Sequence, residues 1–311
     1  VPFRCWNFGT EWVPYFCGND VFGFLKRKKK FIEVPRFSGK VGVTDLADYR
    51  RTEFGPELVE NDDDRVIFTR EHNGLRYDFA FAKKPKAKRL FVLFSGAAAR
   101  DKVDPPVFQR WKWADRFPGH VLYVSDPALF EHERLGLAWY IGVGDKDPLP
   151  FIADTVQELA GYLRVRRKNT IFYGSSGGGF ASLRMQDFLS GATSVAINPQ
   201  VTLQKYNKSL VNRYLKFCHN STFDTFDFTA SAERFDLLAS PRTTKDRLVL
   251  VQNVLDKSHY TKHFSEYCKM LGISPDESTS RKRVKTILFS HEKGHLQAET
   301  SDVFSEIMSA V

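Results

Sequence analysis

Short apolar runs rich in β-branched and aromatic residues make Arg65 to Arg70 and Leu75 to Ala82 strand-like, which predicts two strands. His72-Asn73-Gly74 between them supplies the backbone angles of a tight turn. From Arg89 onward the pattern changes to short, nearly continuous apolar runs separated by longer amphipathic stretches. Parallel strands buried on both faces and joined by crossover helices read in this way. The predicted strands are Leu90 to Ser95, Val121 to Ser125, Thr170 to Tyr173, Thr193 to Ile197, Arg247 to Asn253 and Val284 to Phe289. The predicted helices are Phe151 to Val165, Gly178 to Leu189, Tyr260 to Leu271 and Ala298 to Val311. The expected fold is therefore α/β, a mostly parallel doubly wound sheet entered through a hairpin. A barrel of eight units would need more strands than are visible.

Two stretches break the alternation. Between Asn198 and Asp246 the chain is polar, contains aromatics and is too long for a simple connection, so residues 199–246 are read as a cap inserted over the site. Asp126 to Pro150, with Trp139, Tyr140, Gly142 and Gly144, forms either a second wall or an ordinary surface loop. Residues 1–64 are aromatic and loop-rich and are expected to wrap the main domain, residues 65–311, rather than fold alone.

Composition narrows the class. An apolar share of 42% over 311 residues supports a large core and excludes a disordered or fibrous chain. No apolar run is long enough for a membrane span, and Val1 to Asp20 mixes Arg4, Glu11 and Asp20 with aromatics, unlike a secretory signal. Cys5, Cys17, Cys218 and Cys268 lack the pairing of a zinc site. Four free thiols in a cytoplasmic, reducing compartment are expected, with a Cys5–Cys17 bond as the alternative for an exported protein. The net charge of +9 comes largely from Lys26 to Lys30, Lys83 to Arg89, Arg164 to Lys168 and Arg281 to Lys285. Three of these runs precede apolar strands and read as solvated loops, and no nucleic-acid motif accompanies them.

The segment Tyr173-Gly174-Ser175-Ser176-Gly177-Gly178-Gly179-Phe180 carries the chemistry. It is G-x-S-x-G at the end of an apolar strand and the start of an amphipathic helix, the pattern of a serine lifted above a sheet on a sharp turn. The residues two away must be small, because the turn folds them against their neighbours. The turn also aims the Gly177 N–H toward a developing oxyanion. A phosphate-binding loop would need a lysine after the glycines, and none follows.

A serine hydroxyl needs a base and an orienting carboxylate. Asp256 lies just past one predicted strand, and Glu292 and Asp236 are rival acids. His295 follows Gly294 after the last predicted strand, and His291 and His259 are rival bases. The loop Ser95-Gly96-Ala97-Ala98-Ala99 offers a second oxyanion donor, the Ala97 N–H, with Gly96 next. Trp139, Gln200 and Tyr206 are the candidate substrate-wall residues.

In this order of elbow, acid and histidine the chain resembles the α/β-hydrolase superfamily over about residues 65–311. It departs from the common lipase pattern by having Ser95-Gly96 where His-Gly often stands. More loosely, Gly174 to Phe180 and Ala196-Ile197-Asn198-Pro199-Gln200 resemble hydrolase-like proteins associated with bacterial surface or capsular polysaccharides. The resemblance implies cleavage of a carboxylic ester, acyl or glycan-linked, on a small molecule or polysaccharide, with no metal or organic cofactor. Acyl transfer to a sugar hydroxyl, peptide cleavage and a non-catalytic binding protein are the alternatives.

Overall fold

The computed structural model describes residues 49–60, 64–239, 247–281 and 283–311, all within one compact unit. Most of the aromatic N-terminal stretch, Cys5, Cys17, the Lys26 to Lys30 run and the last residues of the 199–246 insertion lie outside them.

Ten strands among the described residues form a single sheet. In chain order they are β1 (Arg50–Arg51), β2 (Arg65–His72), β3 (Leu75–Ala82), β4 (Leu90–Phe94), β5 (His120–Val124), β6 (Thr170–Ser175), β7 (Thr193–Ile197), β8 (Arg247–Asn253), β9 (Ser280–Arg281) and β10 (Val284–Phe289). Across the sheet the order is β1-β2-β3-β5-β4-β6-β7-β8-β10-β9. The six strands from β5 to β10 in that order run parallel, so they all present their C-terminal ends at one edge. The hairpin joins antiparallel at one side. Asn73 and Gly74, at φ 50° and 69°, make its two-residue turn, a conformation that favours these two residue types.

The helices are α1 (Glu57–Glu60), α2 (Leu149–Tyr162), α3 (Gly177–Arg184), α4 (Lys208–His219), α5 (Ala232–Phe235), α6 (Lys257–His259), α7 (Ser265–Met270) and α8 (Ser301–Ala310). Successive strand residues point to opposite faces, and the core divides accordingly. Phe91, Leu93, Val121, Tyr123, Ile171 and Tyr173 join one cluster with α8, while Leu90, Val92, Phe94, Leu122 and Phe172 join the other under α2. Both faces are thus dry, which is why the strand sequences read as unbroken apolar runs.

Several helix limits differ from the predicted ones, each for a local reason. α2 begins at Leu149 rather than Phe151 because Pro150 fits the first helical turn. The predicted Gly178 to Leu189 helix ends at Arg184 and continues as one 3-10 turn, Met185–Asp187. The predicted Tyr260 to Leu271 helix opens earlier, at Lys257, where the Asp256 carboxylate accepts from the His259 N–H, and it contains a π turn over Tyr260–Phe264. α8 starts at Ser301 instead of Ala298, capped by the Thr300 hydroxyl.

The sheet also reaches beyond the predicted start at residue 65, since Arg50 and Arg51 pair with Val66 and Ile67. Leu58 of α1 is buried with them in the same unit. The Arg164 to Lys168 run is a loop whose basic side chains are exposed, and no described helix is long and apolar enough to cross a membrane. Cys218 and Cys268 are free, buried thiols, and burial pushes both thiol pKa values up.

Candidate active site

Ser176 follows β6 directly and holds φ 57°, ψ −120°, a conformation that non-glycine residues seldom adopt. Two neighbouring glycines make this turn sterically possible. A methyl group on Gly174 would run into the Gly178 carbonyl, and one on Gly178 would run into the Phe94 carbonyl of the adjacent strand. The Ser176 N–H is held by Ile197 O at 2.9 Å, so β7 supports the turn from the other side. Strain of this kind persists where the surroundings over-determine it.

The loop after β10 and the loop after β8 meet the serine. Ser176 Oγ lies 3.0 Å from His295 Nε2, and His295 Nδ1 lies 2.7 Å from Asp256 Oδ2. Asp256 is buried, Ser176 is 8% exposed and the His295 side chain 33%, so the ring forms the outer, solvent-reaching member. Burial opposes ionisation of Asp256, yet hydrogen bonds from His259 and His295 overcome it and hold the carboxyl well below its ordinary range. The carboxylate therefore stays charged.

Asparagines lock the two loops together. Asn253, the last residue of β8, donates from Nδ2 to His291 O and Gly294 O, both at 2.9 Å, and its Oδ1 accepts from the His291 and Leu255 N–H groups. Asn198 Oδ1 accepts from Asn253 N at 2.7 Å. Behind the elbow, Arg110 donates to Ser175 Oγ at 3.0 Å and to both oxygens of Glu299.

The Ser95–Ala99 loop lies against the elbow, since a methyl group on Gly96 would sit 3.6 Å from Ser176 Cβ. Gln109 braces it by accepting from Gly96 N at 2.8 Å and donating to Ala97 O at 2.9 Å. The Gly96 N–H is thereby engaged, and the Ala98 N–H is bonded to Gly136 O. Among the described residues no acceptor is assigned to the Ala97 or Gly177 N–H. A cavity of about 610 Å³ opens beside this loop, walled by Ala97, Leu135, Leu137 and Leu210 with Arg134 and Arg213.

Of the rival residues, His291, Glu292 and Asp236 stand apart from the serine's hydrogen-bond partners, whereas His259 does not. The His291 ring accepts from Lys293 N, Glu292 is exposed, and Asp236 bonds the Leu238 N–H. Trp139 and Gln200 do not line an open wall, for both are fully buried, and Tyr206 is half-buried edge-on to Trp139 and His259. The Asp126 to Pro150 stretch is a packed wall in its central part, where Leu137 to Ile141 are all buried.

No family model matches the sequence, and no curated protein matches it. Solved structures do. Three structures of the capsule O-acetyltransferase of Neisseria meningitidis serogroup A align over 77% of this chain and 94–96% of that chain, at 16–17% identity and TM-scores of 0.55–0.57. The fluorophosphonate-binding serine hydrolase FphF of Staphylococcus aureus aligns over 79% of this chain and 96% of that chain, at 11% identity and a TM-score of 0.50. The chain has the α/β-hydrolase fold.

Within this hydrolase fold two further side chains join the hydrogen-bond network of the serine, one directly and one through the first. Gln200 Nε2 is 2.7 Å from Ser176 Oγ and 2.7 Å from His259 Nε2. His259 Nδ1 is 3.0 Å from the second oxygen of Asp256, and its ring stacks on His295 with centroids 3.8 Å apart and planes 8° from parallel. Asp256 is thus shared by two imidazoles. Asp256, His259 and His295 place donor atoms within 4.8 Å of one another. Both Nδ1 atoms are bonded to the carboxylate, so the contacts described join the three side chains in a hydrogen-bond network. The usable sequence signal was the spacing of Asp256 and His259, three residues apart at a helix start, which brings the two side chains together.

Proposed function

We propose that the protein is a serine esterase-type enzyme in which Ser176 is the nucleophile, His295 the general base and Asp256 the group that orients the His295 imidazole. The observation that carries this reading is the Ser176 Oγ to His295 Nε2 distance of 3.0 Å, continued at 2.7 Å to a buried, ionised Asp256. The Ser176 proton passes to His295 Nε2 as Oγ bonds the acyl carbon, and the carbonyl electron pair moves onto its oxygen. The Gly177 and Ala97 N–H groups receive that oxyanion, since among the described residues neither has another acceptor. The leaving alcohol takes the proton from His295, and water then releases the acyl group by the same steps. The cavity beside Ala97 is where the acyl or alcohol portion lies.

A second reading, acyl transfer to a sugar hydroxyl in place of water, is favoured by the likeness in fold to the capsule O-acetyltransferase. It uses the same intermediate, so one experiment addresses both. The wild-type chain is expected to be labelled by a fluorophosphonate at Ser176 and to hydrolyse nitrophenyl esters. Ser176→Ala should abolish both while keeping its circular dichroism and unfolding midpoint. Turnover surviving in Ser176→Ala refutes the assignment, and acylated product formed with a sugar acceptor separates transfer from hydrolysis.

A further inference from the structure

Every polar group of the Gln200 side chain has a partner, and the partners dictate its polarity. The indole N–H of Trp139 can only donate, and it meets Gln200 Oε1 at 3.1 Å. The amide nitrogen therefore faces the site and carries both protons there, one toward Ser176 Oγ and one toward His259 Nε2. His259 Nε2 must accept, which places its ring proton on Nδ1, pointing at Asp256 Oδ1. The assignment is closed from the indole to the carboxylate, with no group left facing its own kind.

We propose that Gln200 is a catalytic hydrogen-bond donor to the nucleophile and that His259 is the positioning residue that holds it there, a role that rests on Ser176 being the nucleophile. A hydroxyl has one proton and two lone pairs. With Gln200 on one lone pair, the proton is left to face His295 Nε2, which is the direction attack requires. When Oγ leaves the acyl group, the C–Oγ bond breaks, Oγ takes the electron pair and then the proton held on His295 Nε2. The Gln200 N–H faces Oγ throughout that charge development. A donor already in place at a developing charge needs no reorganisation.

His259 suits this only as a neutral ring. Its neighbours are Asp256, the stacked His295, the edge of Tyr206 and the tilted ring of His263. A second proton on Nε2 would oppose the Gln200 amide protons and would put a cation face to face with His295 when that ring is charged. Burial lowers the His259 pKa, in the direction of the neutral form, although the Asp256 hydrogen bond pulls the other way.

Fluorophosphonate labelling of the full chain, followed by intact mass across a pH series, tests the inference. Failure of the wild-type chain to label at Ser176 would overturn the proposed function itself, and the Gln200 role with it. With wild-type labelling established, Gln200→Met (similar length, no donor) and Gln200→Glu (acceptor in place of donor) are expected to label roughly a hundredfold more slowly, with folding checked by thermal unfolding. Wild-type labelling in either folded variant overturns the donor role. His259→Phe keeps the stacked ring but removes the Nε2 acceptor of the Gln200 amide, so labelling should slow. His259→Gln, whose amide oxygen can again accept from Gln200, should recover much of the rate, a rescue that simple loosening of the fold would not produce. Wild-type labelling in a folded His259→Phe overturns the positioning role, and this pair of variants decides if neither Gln200 variant folds.

Discussion

Arg110 and Glu299, 189 residues apart in the chain, form a buried two-bonded ion pair at 2.8 and 2.9 Å directly behind the serine turn. Arg110 also donates to Ser175 Oγ, and Tyr173 donates to Glu299, so one charge pair joins the strand bearing the serine to the chain that follows His295. Arg110 itself holds φ 63°, a conformation kept only where such bonds secure it.

Glu299→Gln removes the counter-charge while preserving shape. It should destabilise the protein by about 3–5 kcal/mol, because a buried guanidinium is left uncompensated. Urea unfolding checks this, and a loss of less than ~1 kcal/mol would place the pair with ordinary surface ion pairs. Fluorophosphonate labelling should fall as well, since the His295 loop loses its anchor.

Asn253→Asp tests the loop clamp after β8. The side chain keeps its size but presents a carboxylate oxygen to the His291 and Gly294 carbonyls, where Nδ2 now donates. Slower labelling of Ser176 and faster amide exchange over residues 290–297 are expected. Exchange equal to wild type would show that the loop holds its place without this clamp.

Gly178→Ala should reduce stability by about 1–3 kcal/mol or prevent folding, because its Cβ would meet the backbone of β4, which cannot retreat without breaking the sheet. Gly161→Ala, on the exposed face of α2 with open space around the new methyl, should instead add up to about 1 kcal/mol. Unfolding midpoints of the two variants moving in the same direction would contradict the steric account of the elbow.

Acid should weaken the fold through buried histidines. Burial lowers the pKa of His263 to about 3 and that of His219 to about 4, whereas the unfolded chain binds these protons at about 6.5. Between those values the unfolded state holds more protons, so stability falls as pH drops from about 6.5 toward 3. The urea midpoint should decline across this window, and replacing His263 by Phe should flatten the decline. A midpoint independent of pH from 6.5 to 4 would refute it.

Much of the fold was legible because its causes are local. A strand buried on both faces must be apolar along its length, as Leu90–Phe94 is, and a serine on a turn this tight must have glycines two residues away, as Gly174 and Gly178 are. The order Ser176, Asp256, His295 was read from the resemblance to the α/β-hydrolase pattern, with the two later residues on loops that leave the same sheet edge as the serine. Helix limits were less legible, because Pro150, Asp256 and Thr300 act as start signals only once the chain is seen to turn there.

The sequence by itself determined the alternation of strands and helices, the strained serine turn and the loops from which its partners come, since each depends on sterics and burial within a few residues. Tertiary structure alone decided that, among the described residues, the Ala97 N–H has no acceptor while that of Gly96 is bonded to Gln109. It alone made His259 the second imidazole on Asp256, turned the buried Gln200 toward the hydroxyl instead of a substrate wall, and paired Arg110 with Glu299. Those relations join residues up to 189 positions apart, and hydrogen bonds demand a placement to within a few tenths of an ångström. That placement is set by how the strands lie in register, which no short stretch of sequence encodes.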